Sequence, residues 1–175
     1  MDIQTIKTHI DISRIWKEVS TYVLTDDSID QICLQGYDID MDPYYGSREL
    51  KSMKGYTEWD FCVNLFPKLD YTNEIIEELG MYRTRVMRMA PKSCLSYHND
   101  PTKRVHIPLI TNTNAFLLID KSAYHLIDDG SAYLVDTTKK HTAINASFVT
   151  RTHLVGVVDE KMIEEYEDEL FGDSY

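Results

Sequence analysis

From Tyr82 onward the chain breaks into short runs of β-favouring residues at near-regular spacing, and this pattern restricts the fold more than any other feature. Candidate strands cover 82–89, 93–98, 104–110, 115–119, 123–127, 131–135, 142–146 and 149–157, with Gly, Pro, Asn and Asp in the breaks between them. Many short strands leave many sheet edges, and closing two sheets on each other is how such chains protect them. The expected fold is therefore mainly β with flanking helices, a double-stranded β-helix or jelly roll. Asp128-Asp129-Gly130 has hairpin chemistry between two of the candidate strands.

Ahead of the strands, Ile12, Ile15, Val19, Tyr22 and Val23 recur at helical spacing and predict a helix over 11–24, capped by Asp11 or Ser13. Residues 26–55 are rich in turn formers. A short helix is expected over 70–79, stopped by Gly80. Residues 160–171 place Met162, Ile163, Tyr166 and Leu170 on one helical face. The organisation expected is one domain over 1–175: a helical, turn-rich part (1–81) packed on the barrel, a jelly-roll core (82–158) and an acidic helix or tail (159–175).

Length and composition fit that picture. A chain of 175 residues can bury roughly 70% of its unfolded surface without covalent staples. Its three cysteines, Cys33, Cys62 and Cys94, are scattered with no CxxC pair, which points to free thiols in a reducing cytoplasm. The opening Met1-Asp2-Ile3-Gln4-Thr5 lacks the basic and apolar segments of a secretory signal. The longest apolar run, Ala115–Ile119, is too short to span a bilayer. Eighteen basic residues against 29 acidic ones give a net charge of −11, which argues against nucleic acid or an anionic membrane as partner. Against that background, Arg83, Arg85, Arg88, Lys92, Lys103 and Arg104 stand within 22 residues and face Asp100 as the lone acid, a basic patch suited to a small anion.

The residues with chemistry in them begin at Tyr97-His98-Asn99-Asp100-Pro101. On a strand, positions i and i+2 share a face, so His98 and Asp100 can offer an imidazole and a carboxylate to one point. His141 is the natural third ligand. Two His and one carboxylate leave open metal positions, the arrangement of non-haem Fe(II) oxygenases. Arg151 follows His141 by ten residues in a strand-like run, where a buried guanidinium could grip a carboxylate entering the barrel.

Taken together, these pieces are similar to a known family. His98-Asn99-Asp100, Arg104-Val105-His106-Ile107-Pro108-Leu109, His141-Thr142-Ala143-Ile144-Asn145 and Arg151-Thr152-His153-Leu154 occur in the order and spacing of the aspartyl/asparaginyl β-hydroxylase-like Fe(II)/2-oxoglutarate oxygenases. Residues 82–158 carry the resemblance, which extends to the related bacterial proline hydroxylases. It implies a cupin-type jelly roll, with Fe(II) held by His98, Asp100 and His141. It implies that Arg151 pairs with the distal carboxylate of 2-oxoglutarate, and that Arg104 and His106 help to hold that cosubstrate. The implied activity is hydroxylation of an unactivated C–H bond of a proline, aspartate or asparagine side chain, free or in a peptide or protein. O2 is consumed and 2-oxoglutarate is decarboxylated to succinate. Asp100 completes the ligand set and argues against a halogenase-type site, where the carboxylate is missing.

Two other readings compete with this one. A cupin-like module that binds a metal or anion without turnover would have no need of the Arg151 clamp. A zinc hydrolase would be expected to show a motif such as HExxH, which the chain lacks. His153 shares the face of Arg151 and is expected to be a hydrogen-bonded core residue. At least two of Arg83, Arg85 and Arg88 are expected on the surface. Asn145-Ala146-Ser147 reads as a chance glycosylation sequon. Tyr37, Tyr44, Tyr45 and Tyr56 are expected to pack, with a substrate lid as the alternative.

Overall fold

The computed structural model describes residues 1–26, 29–45 and 55–159. Twelve strands and two helices are assigned there: β1 (Ile3–Lys7), α1 (Ile12–Tyr22), β2 (Gln31–Cys33), β3 (Gln35–Gly36), β4 (Val63–Asn64), α2 (Asp70–Glu78), β5 (Met81–Met89), β6 (Ser93–Cys94), β7 (Arg104–Ile110), β8 (Ala115–Ile119), β9 (Ser122–Tyr124), β10 (Ala132–Val135), β11 (His141–Asn145) and β12 (Arg151–Val158). They form a six-stranded sheet in the order β1-β10-β7-β12-β5-β2, a four-stranded sheet in the order β6-β11-β8-β9, and the small pair β3-β4. Every pairing is antiparallel. The fold is mainly β, cupin-like, with flanking helices.

Alternation along the strands of the large sheet divides its two faces. On β7, Val105, Ile107 and Leu109 join α1 (Ile15, Val19) and α2 (Ile75, Ile76) in the main hydrophobic core. Arg104 and His106, between them, turn the other way into a cavity shared with the small sheet. A second, smaller core of Met89, Leu117, Ile119, Val135 and Ala143 ties the two sheets together. Helices on one face of the large sheet and the second sheet on the other leave the polar side chains of the inner face in a walled space.

Both helices form where the spacing predicts them. Asp11 is the cap of α1, its carboxylate accepting from the Arg14 amide at 3.0 Å. Gly80, at φ +57°, ends α2, and its amide donates to the Glu77 carbonyl. The N-terminal part contains more strand than its sequence shows, since β1 and β2 form the two edges of the large sheet. The expected strand over 93–98 is reduced to Ser93–Cys94 and an isolated bridge at His98. The hairpin expected at Asp128-Asp129-Gly130 does not form: β9 pairs with β8 in the small sheet, and β10 pairs with β1 and β7 in the large one. The turn instead carries the chain from sheet to sheet. Gly130 is needed there by a different constraint, for at φ +86° a Cβ would stand 2.6 Å from the Ile10 carbonyl oxygen. The helix expected over 160–171 lies outside the described residues.

Strand β5 contains a bulge. Val155 pairs with Arg85 but Val157 pairs with Tyr82, so β5 has one residue more than β12 across this step. Arg83 sits in the bulge at φ +49°. The extra residue lets Met81 and Val86, five apart, both face the helices, which strict alternation forbids.

Candidate active site

His98, Asp100 and His141 converge although the first two do not lie on a continuous strand. The backbones of His98 and His141 exchange two hydrogen bonds, of 3.0 and 2.7 Å. Their rings lie 4.5 Å apart. The Asp100 amide donates to the Thr137 carbonyl at 2.8 Å, which turns its side chain back toward the pair. One ligand atom from each of the three residues lies within 4.8 Å of the other two.

Both imidazoles could offer a nitrogen to a metal at this point. His98 Nδ1 lies 2.6 Å from the Ser96 carbonyl, and His141 Nδ1 lies 3.0 Å from the Lys139 carbonyl. A carbonyl can only accept, so each Nδ1 carries the proton and each Nε2 keeps a lone pair for the shared point. Carbonyl partners of this kind commonly orient metal-bound histidines. The donor set of two imidazoles and one carboxylate suits iron and leaves part of its coordination open.

These groups line a cavity of about 380 Å³ between the sheets, within the usual range for small-molecule sites. Its walls include Arg85 and Met87 from β5, Arg104 and His106 from β7, Arg151 and Val155 from β12, and Leu117 from β8. All six residues singled out from the sequence, His98, Asp100, Arg104, His106, His141 and Arg151, therefore face one space.

Arg151 is buried, and among the described residues no carboxylate pairs with it. Its Nε donates to His153 Nε2 at 3.0 Å, and its Nη2 lies 2.8 Å from His153 Nδ1. Its Nη1 meets the Met89 sulfur at 3.9 Å. Burial lowers the pKa of Arg151 to about 10, which leaves it a cation at neutral pH. His153 is the buried, hydrogen-bonded residue expected of it. Burial first, then the neighbouring guanidinium, holds His153 well below the ordinary histidine range. The same causes act on His106, whose Nδ1 stands 3.4 Å from His153 Nδ1. The two rings are thus neutral props around a cation.

Asn145 fixes the connection that delivers Arg151. Its amide nitrogen donates to the carbonyls of Met89, Ala90 and Val149, and its oxygen accepts from the Ser147 hydroxyl at 2.7 Å. The side chain of this sequon residue is fully buried in those bonds.

One expectation about arginines changes. Arg83 and Arg85 are both buried rather than on the surface. Sequence alternation separates them from Arg88 but cannot show that they turn inward toward partners distant in the chain. Arg85 lies 3.3 Å from Gln31 Oε1, and burial lowers its pKa to about 10. Arg83 bonds Glu58, a buried carboxylate on the 3-10 turn Glu58–Asp60. Arg104, which lines the cavity, bonds the same Glu58 and also Asp100. Burial alone would raise the Glu58 carboxyl, but Arg104, the Thr102 hydroxyl and Arg83 outweigh it and hold it below its usual value. No motif surrounds Glu58, and its partners lie 25 to 46 residues away, so sequence reasoning missed it. Of the tyrosines, half-buried Tyr37 packs on Phe61 and stacks on Tyr56 at 4.2 Å, while Tyr56, like Tyr44 and Tyr45, is exposed.

A search of the curated proteins found no match. Among solved structures, AviO1 from Streptomyces viridochromogenes Tue57 is similar at 14% identity and TM-score 0.53, over 90% of both chains. The viral collagen prolyl hydroxylase of Paramecium Bursaria Chlorella virus-1, solved as a 2OG complex, is similar at 9% identity and TM-score 0.51 over 90% of this chain and 95% of that one. A cupin domain from Bordetella pertussis Tohama I matches 44% of this chain and 80% of its own at 17% identity and TM-score 0.38. The first two likenesses extend the shared fold over nearly the whole chain. The family model described as Aspartyl/Asparaginyl beta-hydroxylase matches residues 52–160, from ahead of Glu58 to just past β12. The chain belongs to the aspartyl/asparaginyl β-hydroxylase family.

Proposed function

We propose that the protein is a dioxygenase that uses Fe(II), 2-oxoglutarate and O2 to hydroxylate an unactivated C–H bond of an amino acid or a peptidyl side chain, with proline, aspartate and asparagine the first candidates. Arg151 is the observation that carries this reading. It is a buried cation without a carboxylate among the described residues, facing the cavity of the two histidines and Asp100. A metal held only for structure has no use for such a group. A dicarboxylate bound next to the metal does, because a buried charge is costly until an anion answers it.

His98, Asp100 and His141 would hold the iron from one side and leave the other side to cosubstrate and O2. When bound, iron and 2-oxoglutarate supply the oxidising power, the keto acid losing carbon dioxide and leaving succinate. The chain supplies the geometry. Arg151 anchors the distal carboxylate, and neutral His153 holds the guanidinium edge so that little motion is lost on binding. Met87, Leu117 and Val155 give the cavity apolar walls that exclude water from the reacting carbon. Free cysteines and a strongly acidic chain support a cytoplasmic enzyme with a small or peptidyl partner rather than nucleic acid or membrane. Among the described residues no helix is long and apolar enough to cross a membrane.

The test is an anaerobic titration of the metal-free protein with Fe(II) and then 2-oxoglutarate, read in the weak visible charge-transfer band of the chelated keto acid. The band should appear, and should be absent in Asp100→Ala and Arg151→Ala. Iron binding without the band would overturn the cosubstrate assignment. Binding of neither would leave a non-catalytic cupin-like module.

A further inference from the structure

Arg104 joins two carboxylates. Its Nη2 lies 2.8 Å from Glu58 Oε1, and its Nη1 donates to Glu58 Oε2 at 3.0 Å. Its Nε points the other way, 3.2 Å from Asp100 Oδ2. The guanidinium is planar, so two bonds to Glu58 fix the direction of the third. Glu58 is itself immobilised. Arg83 Nη1 donates to Oε1 at 3.0 Å and the Thr102 hydroxyl donates to Oε2 at 2.6 Å. Each Glu58 oxygen thus accepts two bonds, which fills its lone pairs. The Thr102 carbonyl is tied in turn to the Thr137 hydroxyl at 2.8 Å, and Thr137 also holds the Asp100 backbone.

We propose that Glu58 is a positioning residue for the metal site: acting through Arg104, it sets the orientation of the Asp100 carboxylate and keeps its negative charge available to the metal. The proposal rests on the reading of His98, Asp100 and His141 as metal ligands. Without Glu58, Arg104 would keep its contact with Asp100 and lose its bidentate carboxylate partner. Arg104 would then be free to close on Asp100 as a full ion pair and draw it from the metal. With Glu58 present, most of the positive charge of Arg104 is answered elsewhere, and its Nε acts as an orienting donor. Metal-bound carboxylates depend on such outer partners. The turn that carries Glu58 is held by Asp60, whose carboxylate accepts from the Thr57 amide at 2.6 Å and from the Thr57 hydroxyl at 2.8 Å. An N-terminal segment far from the ligands in sequence thereby takes part in the site.

The experiment is a titration of the metal-free full chain with Co(II), read in its visible ligand-field band, with folding followed separately by circular dichroism. Glu58→Gln keeps the side-chain shape and removes the charge. Its Co(II) affinity should fall about 10- to 100-fold while the fold persists. In an Arg104→Gln background, the same substitution should change affinity by less than about twofold, because the two act as one unit. A folded Glu58→Gln protein that binds Co(II) like the parent overturns the proposal, and so do losses that simply multiply in the double variant. Should Glu58→Gln fail to fold, Arg104→Lys serves: an ammonium keeps the charge but cannot bridge both carboxylates. It should show the same fall, and unchanged affinity would overturn the proposal. A parent protein that binds no Co(II) fails one step earlier, removing the metal site and the proposal together, whereas parental binding with unaffected variants removes the proposal alone.

Discussion

At the scale of single residues, Arg151 and His153 show how charge is managed inside the barrel. Arg151→Met should leave metal binding intact and weaken 2-oxoglutarate binding about 30-fold or more, since truncating one partner of a buried charge pair costs about 2–5 kcal/mol. The ligand-free variant should melt no lower than the parent, because it loses a buried cation without a carboxylate among the described residues. Calorimetric titration and a thermal melt check the two halves. His106 and His153 make stability depend on pH. Both are held neutral in the fold well below the ordinary value of 6.5. Below that value the unfolded chain takes up protons that the folded chain refuses, so stability is full above about pH 6.5 and declines as the pH falls. Glu58 adds a further loss at lower pH, as acid protonates a carboxylate that the fold holds ionised below its usual 4.5. Urea unfolding should give nearly the same stability at pH 8 and 6.5 and a clear loss at pH 5.5, and a His106→Gln, His153→Gln double variant should reduce that loss. The convergence of His98, Asp100, His141 and Arg151 on one cavity was legible in the sequence because metal and carboxylate chemistry admit few residue types at few spacings. Glu58, Arg83 and Arg85 were not, because a buried charge is recognised by its partners, and these lie tens of residues away.

At the scale of elements, local signals held where an element answers to its own residues. Asp11 and Gly80 mark the start of α1 and the end of α2 as capping chemistry requires. Strands respond to neighbours, which their own residues do not show. Residues Ile3–Lys7 and Gln31–Cys33 are too short to show a period, yet each finds a partner at a sheet edge. Asp128-Asp129-Gly130 satisfies hairpin chemistry while its flanking strands belong to different sheets. Gly130→Ala tests the actual constraint. A positive φ and a 2.6 Å approach to Ile10 should together cost about 1–3 kcal/mol, read as a lower urea midpoint with unchanged slope. A loss well below about 1 kcal/mol would count against this constraint.

At the scale of the molecule, the two sheets enclose a site to which both contribute. The small sheet brings His141 on β11, and the large sheet brings Arg151 on β12 and Arg104 on β7. Ligands that bind this junction should stabilise the whole fold. Co(II) at about 100 times its dissociation constant should add about 2.7 kcal/mol, seen as a higher melting temperature, and 2-oxoglutarate should add a further rise. Arg151→Met should keep the first rise and lose the second. Melting that does not respond to either ligand would count against a site built across the sheets.

By itself the sequence determined the short strands of a β sandwich, the two helices with their caps, and the motif-bearing residues of the site. Each depends on chemistry within a few positions of the chain. Tertiary structure alone decided how the strands share themselves between sheets, which arginines turn inward, and that Glu58 reaches the metal-ligand candidates through Arg104. Sheet order and buried ion pairs join residues far apart in sequence, and their energies depend on burial and distance, which exist only once the chain has folded.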